Sequence, residues 1–459
     1  MTERNHQSDH HTSRFAQAIV VALCAIPLIA TMAFGAVDSW TIGLLSVLVA
    51  VVALLWLIDS GITGEFRYSP SNLQLPVIAL IFIGCVQLLP LASRDAEGLL
   101  SAPLMQTLSM DPYATRYFMI RLVMCFVFFA AALAYVPGAN RQTKIAVIVV
   151  TFGTLIAFFG ILQRLAMPEA IYGLRPTPQA IPFGPFVNQH HFAALMEMTS
   201  GVALGLLFGD GASRERKLLL GLGAGIMGMA IVFTGSRGGV ISYLGVVAFA
   251  AVASFAIGAD SRAHGDSESR SRSRRNLLVI SAAGGLVLLV LGSVLFLGGE
   301  TSLLRGIGLE QTQADVTSGR GHFWNIAWQI FLAHPILGAG FDAFGVAFTR
   351  YDSWSGQFRV EQAHNDYLQI LADGGILSLG CVLAFIFILV RKGIATISRR
   401  TSDVHRSVST GALAGCFGIL VHSFFDFPLR TPANAFFFLL LVVLAVGHTT
   451  PKPKRSRNN

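Results

Sequence analysis

Charge is scarce in this sequence. Only 13% of its 459 residues are Asp, Glu, Lys or Arg, against 53% that are hydrophobic, whereas soluble domains carry about 25% charged residues. So little charge cannot cover a water-facing surface, and lipid must be the main solvent. Cysteine is sparse as well. The five cysteines all fall in apolar runs and none forms a CxxC, which argues against a disulfide framework or zinc site and leaves them as small packing residues. The chain also has no Walker loop, no dinucleotide fingerprint, no HExxH and no clean Asp-x-Asp pair. Nucleotide-driven and motif-borne metal chemistry are therefore not expected.

What is present is apolar length. Runs able to cross about 30 Å of hydrocarbon recur near 15–34, 41–59, 75–93, 117–136, 143–165, 191–209, 217–235, 238–258, 277–298, 374–391, 409–426 and 432–448. The first is too long for a signal-peptide core and is read as a retained span. The expected fold is an all-α polytopic membrane protein of about twelve transmembrane helices. A cytoplasmic tail (1–14) precedes a nine-helix bundle (15–298), a large periplasmic loop with short helices (299–373), three further helices (374–448) and a basic cytoplasmic tail (449–459).

Basic residues set the orientation. All five lysines and most arginines fall in alternate loops, which the positive-inside rule makes cytoplasmic, together with both termini. The Ser/Arg-rich stretch "ADSRAHGDSESRSRSRRN" reads as a cytoplasmic linker for anionic headgroups. Every basic residue outside those loops is arginine. Arginine offers a planar fork of donors suited to phosphate, though at a membrane edge it also snorkels to headgroups.

Four polar motifs converge on the predicted outer face. "FTGSRGG" places Arg237 in a tight helical hairpin, where it either binds an anion or pins carbonyls. "TSGRGHFW" places Arg320 at the start of an amphipathic helix with Thr317 or Ser318 as N-cap, a phosphate seat or a local bridge. In that helix Phe323, Ile326, Ala327, Ile330 and Phe331 share a face, while Trp324 and Trp328 suit the lipid interface.

"VEQAHNDYLQILADGGIL" supplies His364, an imidazole that can take a proton from a hydroxyl. Asp366 or Glu361 can orient it and Asn365 can bond a sugar; the plainer alternative is a structural histidine before an Asn or Asp cap. "HSFFDFPLRTPANA" carries Asp426 and Arg430, which either pair with each other or shape a pocket wall. A fifth, weaker motif, "FGPFVNQHHFAALMEM", sets Asn188, His190 and His191 at a helix mouth, with Glu197 further in and no partner identified for it.

A transfer reaction on a face without nucleotides needs an already activated donor, most naturally a lipid-diphosphate sugar. Such a donor calls for arginines at the diphosphate, a base for the acceptor hydroxyl and an apolar groove for the lipid.

At these motifs the chain resembles the O-antigen ligase/polymerase superfamily. The resemblance rests on "TGSRGG", "GRGHFWNIAWQIFLAHPILGAGFDAF", "AHNDYLQILADGGILSL" and "HSFFDFPLRTPANA", in that order, and covers about 180–440; before that it is one of topology. It implies a C-type glycosyltransferase fold and a metal-independent, inverting transfer of an undecaprenyl-diphosphate-linked glycan at the periplasmic face of the bacterial inner membrane.

The resemblance also assigns roles: His364, Arg237 and Arg320 match the family's catalytic positions. With the neighbouring residues it implies a substrate-binding set of Asn365, Asp366, Glu361, Asn188, His191, Asp426 and Arg430. No cofactor and no nucleic acid are expected; the partners are the lipid-linked glycan, an acceptor glycan (a lipid-linked repeat or lipid A-core) and membrane lipids. "FGPFVNQHHFAALMEM" and "DFPLRTPANA" resemble exopolysaccharide or capsule polymerases more than lipopolysaccharide core ligases. Protein O-glycosylation, and a lipid-linked oligosaccharide transporter or flippase, remain as alternatives.

Overall fold

The computed structural model describes residues 13–93, 105–167, 169–178, 180–210, 212–260, 276–293, 319–353, 360–398 and 402–447. The Ser/Arg-rich linker, Arg94, Arg305, Arg359 and the proposed caps Thr317 and Ser318 lie outside them. The described chain is helical: α1 (Arg14–Met32), α2 (Ser39–Thr63), α3 (Gln74–Gln87), α4 (Pro112–Tyr135), α5 (Ala139–Ala166), α6 (Gln189–Phe208), α7 (Arg214–Thr234), α8 (Arg237–Asp260), α9 (Asn276–Ser293), α10 (Arg320–Ala333), α11 (Phe344–Tyr351), α12 (Asp366–Ser398), α13 (Asp403–His422) and α14 (Pro432–Val446). Sheet among the described residues is limited to two-residue pairs, Ala92–Ser93 with Met105–Gln106 and Ala170–Ile171 with Arg175–Pro176.

Each of the twelve expected apolar runs overlaps a helix of the described chain. Ten are long and apolar enough to cross a membrane; α3 and α14, with 14 and 15 residues, are shorter. α6, α13 and α14 form the buried centre. α14 is apolar on every side, as a helix enclosed by others must be. α6 and α13 meet backbone to backbone where Gly201 and Gly205 face Gly411 and Gly415, with no room for a Cβ, the close approach small residues give membrane helices. Outer helices turn Leu54, Leu155, Leu218 and Leu288 outward.

The helices alternate, so each end of the bundle collects a defined set of termini. At one end the start of α6 bonds to the start of α8 and to the α14 turn through His190–Ser236 (2.9 Å) and His191–Thr431 (2.6 Å). At the other, Ser254 of α8 donates to Phe208 O of α6 (3.1 Å) and Lys392 of α12 reaches Ser71 (3.2 Å). Basic residues attach to this second end: Arg67 lies 3.8 Å from Asp59, and Arg141 donates to Tyr135 O.

α10 and α11 share a small apolar core with the start of α12, built on Ile326, Ala327, Ile330, Phe344, Phe348 and Ala372. The helical face expected for 320–333 is the one buried, and Trp328 stays exposed. This cap is locked onto α12 by a break in that helix. Gly375 has φ 65° and ψ −168°, which frees backbone groups that must find partners elsewhere. Ala339 N donates to Ala372 O (2.9 Å), Gly340 N to Asp373 O (3.0 Å), and Ile376 N to Pro335 O (2.9 Å). Gln87 of α3 adds bonds to Leu337 O, Asp373 O and Phe341 N.

Candidate active site

α12 begins earlier than its apolar run suggests. Asn365 caps it, its Oδ1 accepting from Tyr367 N and Leu368 N at 3.0 Å each, and this cap draws Asp366 and Tyr367 into the helix. The turn after α13 is stitched to this start. Asp366 N donates to Ser423 O (2.9 Å), Ser423 Oγ to Asp366 Oδ2 (3.0 Å), Asn365 Nδ2 to Phe424 O (3.1 Å) and Tyr367 OH to Leu420 O (2.8 Å).

These bonds bring His364 and Asp426 together. Their Nδ1 and Oδ1 lie 3.0 Å apart, with the His364 side chain 30% exposed and that of Asp426 1%. Asp426 Oδ1 also accepts from Phe427 N (3.0 Å). Burial alone would raise the Asp426 carboxyl; the hydrogen bond from His364 and the nearby rings of His191 and His190 outweigh it and hold the group below the usual carboxylate range. An ionised Asp426 takes the Nδ1 proton of His364 as its hydrogen bond and leaves the Nε2 lone pair free. Nε2 has no hydrogen-bond partner among the described residues. The ring is held between Phe323 (centroids 6.0 Å) and Phe427 (4.9 Å). His364 has φ 52°, a conformation that a non-glycine residue keeps only where its surroundings enforce it.

Arg237 is the exposed first residue of α8. Its turn is fixed from both sides: Ser236 N donates to Thr234 Oγ1 (3.1 Å), and Ser236 Oγ accepts from Gly239 N (3.1 Å) and meets His190 Nδ1 (2.9 Å). Gly238 sits against Phe425, in the same turn as Asp426. Arg320 is the first residue of α10, and its charge reaches His190 and His422. Neither arginine has a hydrogen bond or carboxylate partner among the described residues. Both lie toward the α6 mouth, at the same end of the bundle as His364.

Two expectations are corrected. Neither Asp366 nor Glu361 orients His364: Asp366 Oδ2 is taken by Ser423 and Leu429 N, Glu361 is exposed beside Gly345, and Asp426 holds the ring. Nor do Asp426 and Arg430 pair. The short 3-10 turn Pro428–Arg430 swings Arg430 toward the break in α12, where it binds Asp342 (2.6 Å) and Asp373 (2.7 Å). Asp342 also binds Arg121 at 2.5 Å. Burial opposes its ionisation, yet Arg430 and Arg121 hold its carboxyl below the usual range.

Asn188 caps α6 through His190 N (2.8 Å). His191 is buried on Thr431, with its carbonyl accepting from Asn434 (3.0 Å). Glu197 finds its partner in His422, 2.7 Å away. Asp342, Asp373, Arg121 and Gln87 carry the network beside the site and were not read from the sequence; the glycines around Asp342 and Asp373 were the available signal. Among the described residues, no group of three or more His, Cys, Asp or Glu side chains is arranged to hold a metal ion.

Residues 222–383 match a family model described as O-antigen ligase. The matched span runs from α7 into α12 and contains Arg237, Arg320 and His364. No curated protein matches the chain. The family match supports the O-antigen ligase/polymerase superfamily and a membrane enzyme of that type.

Proposed function

We propose that the protein is an inverting glycosyltransferase that moves a glycan from an undecaprenyl-diphosphate-linked donor onto a sugar hydroxyl at the periplasmic face of the inner membrane, polymerising exopolysaccharide, capsule or O-antigen repeats. The observation that carries this reading is His364, whose Nδ1 is committed to Asp426 and whose Nε2 has no hydrogen-bond partner among the described residues, at the same end of the bundle as Arg237 and Arg320, which have no carboxylate partner among those residues.

In one displacement, the acceptor oxygen attacks the anomeric carbon as the bond from that carbon to the diphosphate oxygen breaks. Configuration at that carbon inverts. His364 Nε2 takes the hydroxyl proton, and Asp426 stabilises the imidazolium that forms. Arg237 and Arg320 neutralise the charge growing on the departing diphosphate. The basic residues at the opposite end favour a periplasmic site and cytoplasmic termini.

Purified protein in lipid nanodiscs, given only lipid-linked repeats, tests the reading. Chain growth without lipid A-core supports a polymerase, and transfer only when lipid A-core is added supports a ligase. Movement of lipid-linked glycan across the bilayer with no new glycosidic bond rejects both.

A further inference from the structure

A cavity of about 260 Å³ lies between α3, α4, α12, α13 and α14, and none of its lining residues belongs to α6, to α8, which carries Arg237, or to α10, which carries Arg320. Its walls are apolar, including Leu80, Leu122, Ile370 and Leu439. An aromatic group closes its floor, with Phe129 and Phe385 centroids 6.0 Å apart and Phe385 and Phe438 6.1 Å apart. Its only charged lining residues are Arg121, Asp366 and Arg430, at the end nearest the site. The cavity therefore runs from the level of the candidate active site into the bundle, and dry apolar space of this kind takes hydrocarbon rather than water. Pro76, in the first turn of α3, also lines it. α3 covers only about 21 Å at 1.5 Å per residue, short of a hydrocarbon layer of about 30 Å, so the slot reaches the point where its own wall begins.

The charges at the mouth exclude one role. Arg121 and Arg430 are both held by Asp342, and Arg430 also by Asp373; Asp366 is bonded to Ser423. No cation there is left over for a diphosphate that must be expelled. Arg237 and Arg320, which have no carboxylate partner among the described residues, do not line the cavity. A lipid whose diphosphate does not react needs only a seat for its chain, since its phosphates stay in water above the rim. Asp366 is two positions from His364, so the glycan of such a lipid emerges beside the base.

Resting on the transfer reaction above, we infer that this slot holds the first isoprene units of a lipid-linked acceptor, a second lipid site distinct from that of the donor. It makes the acceptor a lipid-borne repeat.

The experiment uses the full chain in nanodiscs, one donor and two acceptors: a single repeat on polyprenyl diphosphate, and the same repeat freed from lipid. Wild type is expected to show a lower KM for the lipid-linked acceptor. Ile370→Trp on α12 and Leu122→Trp on α4 are expected to cut that preference about tenfold, the loss of roughly two buried methylene contacts, with a smaller change in donor KM. A rise in donor KM instead, or no change in preference, overturns the assignment. If neither variant folds, wild-type protein is photolabelled with an acceptor carrying a diazirine on one of its first isoprene units. Labelled peptides from α4 or α12 support the slot, and labelling elsewhere overturns it. Labelling needs no turnover, so a wild type that labels in the slot yet forms no glycosidic bond overturns the transfer reading and leaves the lipid site standing.

Discussion

Asp426 Oδ1 sits 3.0 Å from His364 Nδ1, although 62 positions separate the two residues. One carboxylate thus sets which nitrogen of the ring carries the proton. His364→Ala is expected to lower transfer about 10²–10⁴-fold, the usual worth of a positioned base, with helix content and melting temperature near wild type. Asp426→Asn keeps the shape but presents an amide to the ring and favours the wrong tautomer, so it is expected to lose a large part of the same factor in kcat with little change in donor KM. Transfer by His364→Ala at the wild-type rate would remove the imidazole from the chemistry.

Arg237 and Arg320 stand apart from Arg121 and Arg430 in having no carboxylate beside them among the described residues. On the proposed reaction, charge without a carboxylate partner at the end of the bundle that holds His364 is suited to an anion that appears during transfer. Neutral replacement of either is expected to cost about 10²–10³-fold in kcat. Lysine is expected to restore only part of that, because it keeps the charge and loses the planar pair of donors. Rates for Arg237→Gln, Arg237→Lys, Arg320→Gln and Arg320→Lys check this; equal rates for lysine and arginine would reduce the role to bulk charge.

The helices were legible because lipid imposes long apolar runs, and the common end of the motifs followed from counting those runs. Contacts between motifs were not legible. Asp426 sits closer in sequence to Arg430 than to His364, and only the 3-10 turn at Pro428–Arg430 shows that the two residues point apart. The break at Gly375 was hidden for a related reason. Asp373, Gly374 and Gly375 precede an apolar stretch and read as a helix start, whereas α12 is already under way and opens there to receive Ala339 and Gly340.

Arg430 is the centre of the network that ties the α13–α14 turn to the break in α12. Asp373 is fully buried, and its Oδ2 accepts from Arg430 and from Gln369 (3.1 Å). Arg430→Met is expected to destabilise the fold by about 3–5 kcal/mol, because it leaves a buried carboxylate without its cation. Adding Asp373→Asn should recover much of the loss, since removing both charges avoids the stranded one. Thermal unfolding in detergent of the two single variants and the double variant measures the coupling, and strict additivity would show that the pair does not act as a unit.

Asp342 gives the network a pH dependence with a definite sign. Arg430 and Arg121 outweigh the effect of burial and hold its carboxyl below the usual range, so the folded state keeps this group ionised to lower pH than the unfolded chain does, where an aspartate titrates near about 3.9. Between those two values the unfolded chain binds the extra proton, and stability therefore rises with pH across that window. The contribution is complete above about pH 5 and is lost as pH falls through the folded value. Asp426, held low by its bond to His364, acts in the same direction. The melting temperature of wild type is expected to be insensitive to these groups from neutrality down to about pH 5 and to fall below about pH 4. Asp342→Asn is expected to start from a lower plateau, having lost the attraction to both arginines, and to decline less steeply in acid because one of the protons driving the loss no longer binds. An acid slope as steep in Asp342→Asn as in wild type would mean that other carboxylates dominate the acid transition and that the Arg121–Asp342–Arg430 bridge adds no pH-dependent stability.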